Sequence, residues 1–218
     1  MTGLRYVYAV CRPLGAPLQA ELTGIGGAPP ALLHHHGLVV VVSTVPESDF
    51  CEEALRARRE DRDWLDATTR AHRGVIDALT TVTTPLPLRP VTVFRDDSGV
   101  RTMVEAREDD FRRVLDRLEG RVEWRVRAHV ESGESDAGQP AAPARALHER
   151  LSRHAEDSRL HPAPAGTLDA AYLVRRADSE EFVELVDRAK AEVPGVRVHL
   201  TGPWAAYSFS GEFSDDEP

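Results

Sequence analysis

Three histidines in a row, His34-His35-His36, are the most conspicuous side chains in the sequence whose type could do chemistry. Contiguous imidazoles can take up a divalent metal, but alternate residues of an extended chain face opposite ways, so at most His34 and His36 converge. A solvated entrance to the apolar run that follows them is the simpler reading. His148-Glu149 opens like the helix of a zinc protease, yet the fifth position is Ser152. The next histidine, His154, falls two residues late, roughly 200° round a helix of about 3.6 residues per turn. Gly24, Gly26 and Gly27 have neither the dinucleotide-binding spacing nor the Lys-Ser/Thr of a P-loop, and GxSxG and CxxC are absent. His72 lies between Thr68 and Val75 on the apolar stripe of a predicted helix, where a core histidine is expected rather than a base. Arg70 and Arg89 would form either a carboxylate-binding pair or a packing salt bridge if their elements are neighbours. No pair of carboxylates stands where a raised pKa is expected. The sequence therefore offers no catalytic, cofactor-binding or metal-binding set, and an enzyme is not expected.

The aromatic residues near the C-terminus offer a different chemistry. Trp204 and Tyr207 follow Gly202-Pro203 and are joined by Phe209. Amphipathic rings so placed either close a core or stand at a partner surface. Trp124 and Val126 belong to a run of strict alternation that makes either a sheet with one wet face or an edge that accepts another strand. These five residues, Trp124, Val126, Trp204, Tyr207 and Phe209, are the candidate partner-binding set.

The chain must position them within 218 residues carrying 27 basic and 36 acidic side chains, a net charge of −9. That length suits two domains of roughly 100 residues. The net negative charge disfavours general adhesion to nucleic acid or anionic lipid. Of the basic residues only Lys190 is lysine. Two cysteines, Cys11 and Cys51, make no disulfide framework or metal spacing, and a cytoplasmic, reduced protein is expected. The start of the chain lacks the pattern of a signal peptide, and its longest apolar run, Gly37 to Val42, is far below the ~20 residues that cross a bilayer.

Leu4 to Cys11 and Gly37 to Val45 read as strands, the second apolar enough to be central and covered on both faces. Asp49 with Glu52 has the form of a capping box opening a short helix. Trp64, Leu65, Thr68, His72, Val75, Ile76 and Leu79 form the inner stripe of a long amphipathic helix. Pro85 to Phe94 is predicted as one extended strand, and Asp96 to Gly99 as a turn. One helix follows from Val100 to Leu118, ended by Gly120. From Val122 to Val130 the period is two. A polar segment over Ser132 to Pro143 precedes a helix over Ala144 to Leu160. A strand from Thr167 to Arg175, a helix through Phe182 and Val193, and a strand from Val196 to Leu200 complete the pattern, with Pro194-Gly195 as the helix stop and an acidic tail beyond Phe209. The expected fold is α+β. Residues 1–120 would form an N-terminal α+β domain, a mixed α/β sheet with long amphipathic helices. Residues 121–218 would form a C-terminal α+β domain that carries the tail and two thirds of the excess negative charge, −6 against −3.

The segments YVYAV, LVVVVSTVP, RDWLDATTRAHRGVIDAL, PLPLRPVTVF, RLEGRVEWRVRAHV and TGPWAAYSF occur in the order and spacing of the gas vesicle protein F/L family (GvpF/GvpL), which the sequence resembles from Tyr6 to Phe209. Pro90-Val91 stand where that family usually has Phe-Gly, and Ala205-Ala206 where it has two prolines. The resemblance implies a C-terminal half with a modified ferredoxin-like fold. It also implies a minor shell component or assembly factor of gas vesicles that binds the small hydrophobic major shell protein and other accessory proteins, and keeps the shell protein from aggregating during nucleation. The competing expectation is a ferredoxin-like regulatory protein with a polar-lined ligand pocket near Arg70, His72 and Arg89.

Overall fold

The computed structural model describes residues 3–19, 21–130, 142–192 and 196–213. The polar segment over 132–141, Val193 with the stop at Pro194-Gly195, and the tail acids Asp215, Asp216 and Glu217 lie outside the described residues. The fold is α+β with two antiparallel sheets. The contacts divide the chain into two compact units, Met1–Glu119 together with the chain end from Ser210, and Gly120–Phe209.

The first unit is built on β1 (Gly3–Cys11), which pairs antiparallel with β3 (Leu38–Pro46) on one side and with two short pieces, β4 (Leu86–Pro87) and β5 (Val93–Phe94), on the other. A strand absent from the sequence reading, β2 (Ala31–His35), completes the sheet beside β3. Every residue of β3 from Leu38 to Ser43 is buried, so both faces of this β-branched run are covered, as its unbroken hydrophobicity requires. The helices α1 (Glu47–Phe50) and α2 (Glu52–Ala57) follow. The anticipated capping box does not form: Asp49 sits inside α1 and accepts a hydrogen bond from Arg58, and Cys51 gives α2 no side-chain cap. The long helix α3 (Arg62–Thr80) starts where Asp61 accepts from the Trp64 N–H, and it buries Thr68, His72, Val75, Ile76 and Leu79.

Two predicted elements divide. The single strand expected over 85–94 becomes β4 and β5 because Val91 takes a φ of 65°, a left-handed conformation that is uncommon for a β-branched residue and breaks the ladder. This is the position at which the resembled family carries glycine, which adopts that φ without steric cost. The single helix expected to Leu118 becomes α4 (Asp97–Ala106) and α5 (Glu108–Leu118), broken at Arg107, and its first turn already includes Gly99, whose N–H Asp96 caps. The chain end returns to this unit. Phe213 stacks on Phe111 with ring centroids 4.7 Å apart, the Arg107 guanidinium lies 4.0 Å from its centroid, and Arg89 N–H donates to its carbonyl at 3.0 Å.

After Gly120, which takes the left-handed conformation (φ 70°), the second unit runs β6 (Arg121–Val130), α6 (Ala142–Ser152), β7 (Asp157–Leu160), β8 (Thr167–Arg175), α7 (Ser179–Glu192) and β9 (Val196–Trp204). Ala142-Pro143 begin α6 rather than end a loop, since proline is tolerated in a first turn. The helix expected to reach Leu160 stops at Ser152, because Asp157 to Leu160 pair with Leu173 to Ala170 of β8. The sheet order is β7-β8-β6-β9, antiparallel throughout. Alternation on β6 and β8 turns Val122, Trp124, Val126, Ala128, Leu168, Ala170, Tyr172 and Val174 into one apolar cluster with Leu147 and Leu151 of α6 and Phe182, Leu185 and Val186 of α7. The opposite face carries Glu123, Arg125, Arg127 and His129.

Candidate interaction surface

The surface centres on the end of β9. Glu123 of β6 stands opposite Trp204, and a bulge separates this pair from Arg125–Thr201. Gly202 makes the bulge possible. Its φ is 134°, and a Cβ there would stand 2.8 Å from the Glu123 carbonyl and 2.9 Å from the Trp124 ring. Pro203 follows through a cis peptide bond, and Trp204 emerges with 43% of its surface exposed.

A clamp then turns the chain back. Ser208 donates its N–H and its hydroxyl to the two oxygens of Glu123, each at 2.8 Å, and its Oγ accepts from His161 Nε2 at 3.2 Å. Burial raises the Glu123 carboxyl above its ordinary pKa although the Ser208 hydrogen bonds and the charges of Arg125 and Arg159 oppose it. Burial and the Arg125 charge push His161 down. The clamp seats Ala205, Ala206 and Phe209 in the interior, with the Arg159 guanidinium 5.8 Å from the Phe209 ring centroid.

The five residues anticipated as partner-binding thus separate. Trp124 and Val126 face the helices, and Trp124 Nε1 donates to Ser179 Oγ at 3.3 Å at the start of α7. Phe209 is buried and Tyr207 half-buried. Only Trp204 presents its ring to solvent. The other exposed large apolar side chains among the described residues, Leu160 at 56% and Leu32 at 37%, lie on β7 and β2, the two strands the sequence did not reveal. Around β6 and β9 the wet face is cationic despite the acidic composition. Arg125 holds Asp169 with two hydrogen bonds at 2.7 and 2.9 Å and Arg127 adds a third at 3.0 Å, while His199 and Arg197 stand opposite Arg127 and His129. Burial would raise the Asp169 pKa, but these two arginines outweigh it and hold the carboxyl below its ordinary value.

The other candidates resolve into structural roles. His72 is fully buried between the rings of Tyr6 and Tyr8. Tyr6 Oη accepts from the Val91 N–H at 3.0 Å and is hydrogen-bonded to His72 Nδ1, also at 3.0 Å. Burial, with the nearby Arg73 charge, lowers the His72 pKa to about 4, and the ring is neutral. Arg70 and Arg89 are solvent-exposed. His148 bonds Tyr172 Oη at 2.9 Å, and His154 falls beyond the end of α6, so no zinc-protease face exists there. In the histidine run it is His35 and His36, not His34 and His36, that come together, because a tight turn rather than an extended strand contains His36.

A family model described as gas vesicle synthesis protein GvpL/GvpF matches residues 4–140 and 137–211. The chain belongs to the gas vesicle protein L/F family. It is 48% identical over a 254-residue alignment to gas vesicle protein L of a Streptomyces species, covering 98% of this chain and 95% of that one. It is 26% identical to gas vesicle protein F of the same organism, covering 94% and 98%. Its fold is similar to crystal structures of GvpF from Anabaena (TM-score 0.74, 16% identity, covering 95% of this chain and 96% of that one) and from Microcystis aeruginosa (TM-score 0.68, 16% identity, covering 96% and 99%). Membership of this family supports a part in gas vesicle assembly. No helix among the described residues is long and apolar enough to cross a membrane.

Proposed function

We propose that this L/F family member is a non-catalytic gas vesicle assembly factor that binds the small hydrophobic major shell protein in the cytoplasm and keeps it from aggregating while a vesicle nucleates. A subunit destined to face gas carries an apolar surface that is an aggregation hazard in water before assembly. A rigid α+β partner can cover such a surface with an aromatic anchor beside an exposed strand edge. The observation that carries the reading is Trp204. It ends β9, an edge strand whose only partner among the described strands is β6, and the clamp of Ser208 on Glu123 fixes the backbone beneath it. A rigid, half-exposed tryptophan costs little side-chain entropy on binding.

Two finer features belong to the same proposal. The second unit is a modified ferredoxin-like domain, a reading supported by its β-α-β-β-α-β order and by a sheet in which β6 and β8 are central. The two compact units act as two domains, the second carrying the shell-protein contact and the first available to other gas vesicle accessory proteins. Pull-down of the major shell protein by the full chain tests the contact. Trp204→Ala is expected to reduce retention at least tenfold, in the range of a central aromatic anchor, while the variant keeps the parent's circular dichroism. Equal retention by the folded variant removes Trp204 from the interface.

A further inference from the structure

The hairpin tip of the first unit and the break between α4 and α5 bring together a set of side chains that the shell-protein reading does not use. His35 pairs with Leu38 as the last rung of β2 and β3, leaving His36-Gly37 as a two-residue turn. Both turn residues have positive φ, 49° and 72°, the conformation of a type I′ hairpin. The turn folds the His36 ring over that of His35, with centroids 4.2 Å apart and planes within 17°. Two carboxylates rise to meet them from either side of the Arg107 break. Glu105, near the end of α4, lies 2.8 Å from His35 Nε2, and Glu108, which opens α5, lies 2.6 Å from His36 Nδ1. Arg112, one turn further along α5, donates to Glu108 at 2.9 Å and reaches the His36 carbonyl, so Glu108 is held in place.

We infer that His35, His36 and Glu105 form a binding site for a divalent transition ion of the Zn²⁺ type, with Glu108 as the residue that orients His36. One nitrogen or oxygen from each of the three lies within 4.8 Å of the others. Bonds of about 2.0–2.2 Å to a shared ion require ligand atoms roughly 3.3–4.2 Å apart, so the 2.8 Å His35–Glu105 contact opens and the stacked rings tilt until both lone pairs meet the ion, which calls for side-chain torsions alone. A carboxylate can only accept, so His36 carries its proton on Nδ1, toward Glu108. That leaves its Nε2 lone pair for the metal, in the carboxylate–histidine–metal arrangement that fixes tautomer and ring. The ion replaces the proton that His35 Nε2 shares with Glu105, and that proton moves to His35 Nδ1. Two neutral imidazoles, two carboxylates and the Arg112 guanidinium leave one net negative charge to receive a dication. Two nitrogens and one oxygen select a Zn²⁺-like ion over Ca²⁺ or Mg²⁺, which take oxygen. Bound there, the ion ties the β2–β3 hairpin to the junction of α4 and α5.

The test uses the full chain without a polyhistidine tag, titrated with Zn²⁺ by calorimetry and with Co²⁺ by visible absorption. Saturable one-to-one binding, a rise in the unfolding temperature with Zn²⁺ and no response to Ca²⁺ are expected. His35→Ala and Glu105→Gln should abolish the Co²⁺ spectrum, and Glu108→Gln should weaken binding at least tenfold. His34→Ala is the decisive control, because His34 alternates to the opposite face of β2 and should bind as the parent does. The inference fails if the parent shows no saturable binding. It fails equally if His34→Ala loses as much affinity as His35→Ala, since a histidine-rich sequence rather than a built site would then be responsible.

Discussion

The two sheets place their polar groups in opposite ways. Inside the core of the first unit they are neutral and sealed, and the charged groups stay at its rim, as in the Arg5–Asp97 and His35–Glu105 pairs. Tyr6 with His72, and Tyr8 with Ser43 at 2.9 Å, sit inside a sheet covered on both faces, and burial raises both phenols and lowers the imidazole. In the second unit one face is largely apolar against α6 and α7, and the ionised groups lie on the wet side, as in the Arg125–Asp169–Arg127 set. A sheet buried on both faces favours hydrogen-bonding groups that are uncharged and paired, and here the exception is His72 Nε2, which is buried without a hydrogen-bond partner among the described residues. A sheet with one open face is free to present charge and a tryptophan, which is why the candidate surface falls in the second unit.

The sharpest break in that contrast comes at Phe213, which the chain end returns to the first unit. Phe213→Ala removes a ring stacked on Phe111 and should cost the first unit about 3–5 kcal/mol while leaving the second unchanged. Urea unfolding followed by Trp64 fluorescence, in a background with Trp124 and Trp204 replaced by phenylalanine, reads the first unit alone.

Mild acid should separate the units next. The folded pKa of His72 lies below its ordinary 6.5, so the unfolded chain takes up the proton first. The stability this neutral ring confers is complete above pH 6.5 and declines as pH falls toward about 4, a loss of about 3 kcal/mol. In the second unit His148 and His161, both lowered by burial, lose stability in the same direction. Glu123, raised by burial, works against them, since its contribution is present in acid and lost as pH rises. The Asp169 contribution, with a depressed pKa, persists until pH falls below the ordinary aspartate value of 3.8. Asp77 of the first unit, also raised by burial, offsets His72 in the same way, but the larger shift is that of His72, so between pH 6.5 and 4 the Trp64 signal should weaken toward unfolding before that of Trp124. Simultaneous loss would contradict the contrast.

A smaller effect is confined to the second unit. Gly202→Ala forces a Cβ to within 2.8 Å of the Glu123 carbonyl at a φ of 134°, and should cost about 2 kcal/mol, measured by Trp124 fluorescence. The smallest runs the other way in the first unit. Val91→Gly relieves a left-handed β-branched residue, offset in part by the greater chain entropy of glycine, for a net gain of about 1 kcal/mol in urea.

What could be read from the residues alone follows the same division. Periodicity marked α3, β6 and α7, unbroken apolar and β-branched content marked β1 and β3, and the stripe through His72 correctly signalled a core histidine. The elements that escaped are those fixed by distant partners. β2 and β7 are short strands whose pairing comes from β3 and β8, and the interruption at Val91 follows from a backbone angle that its side chain disfavours. Of the aromatic set, the alternation of β6 cannot say which face is wet. Trp124 and Val126 turned inward because α6 and α7 cover that face, and Phe209 because Ser208 is held by a carboxylate 85 residues earlier. The pairing of His35 with Glu105 was equally hidden, since it depends on a turn at His36 and on the break at Arg107.

On the proposed function, the second unit meets the shell protein through the end of β9. Co-expressing the major shell protein with this chain and measuring the soluble fraction of the shell protein tests it most directly. The parent chain is expected to keep the shell protein soluble, and Trp204→Ala, folded and equally expressed, to leave most of it in the pellet. Equal solubility with either chain would contradict the claim.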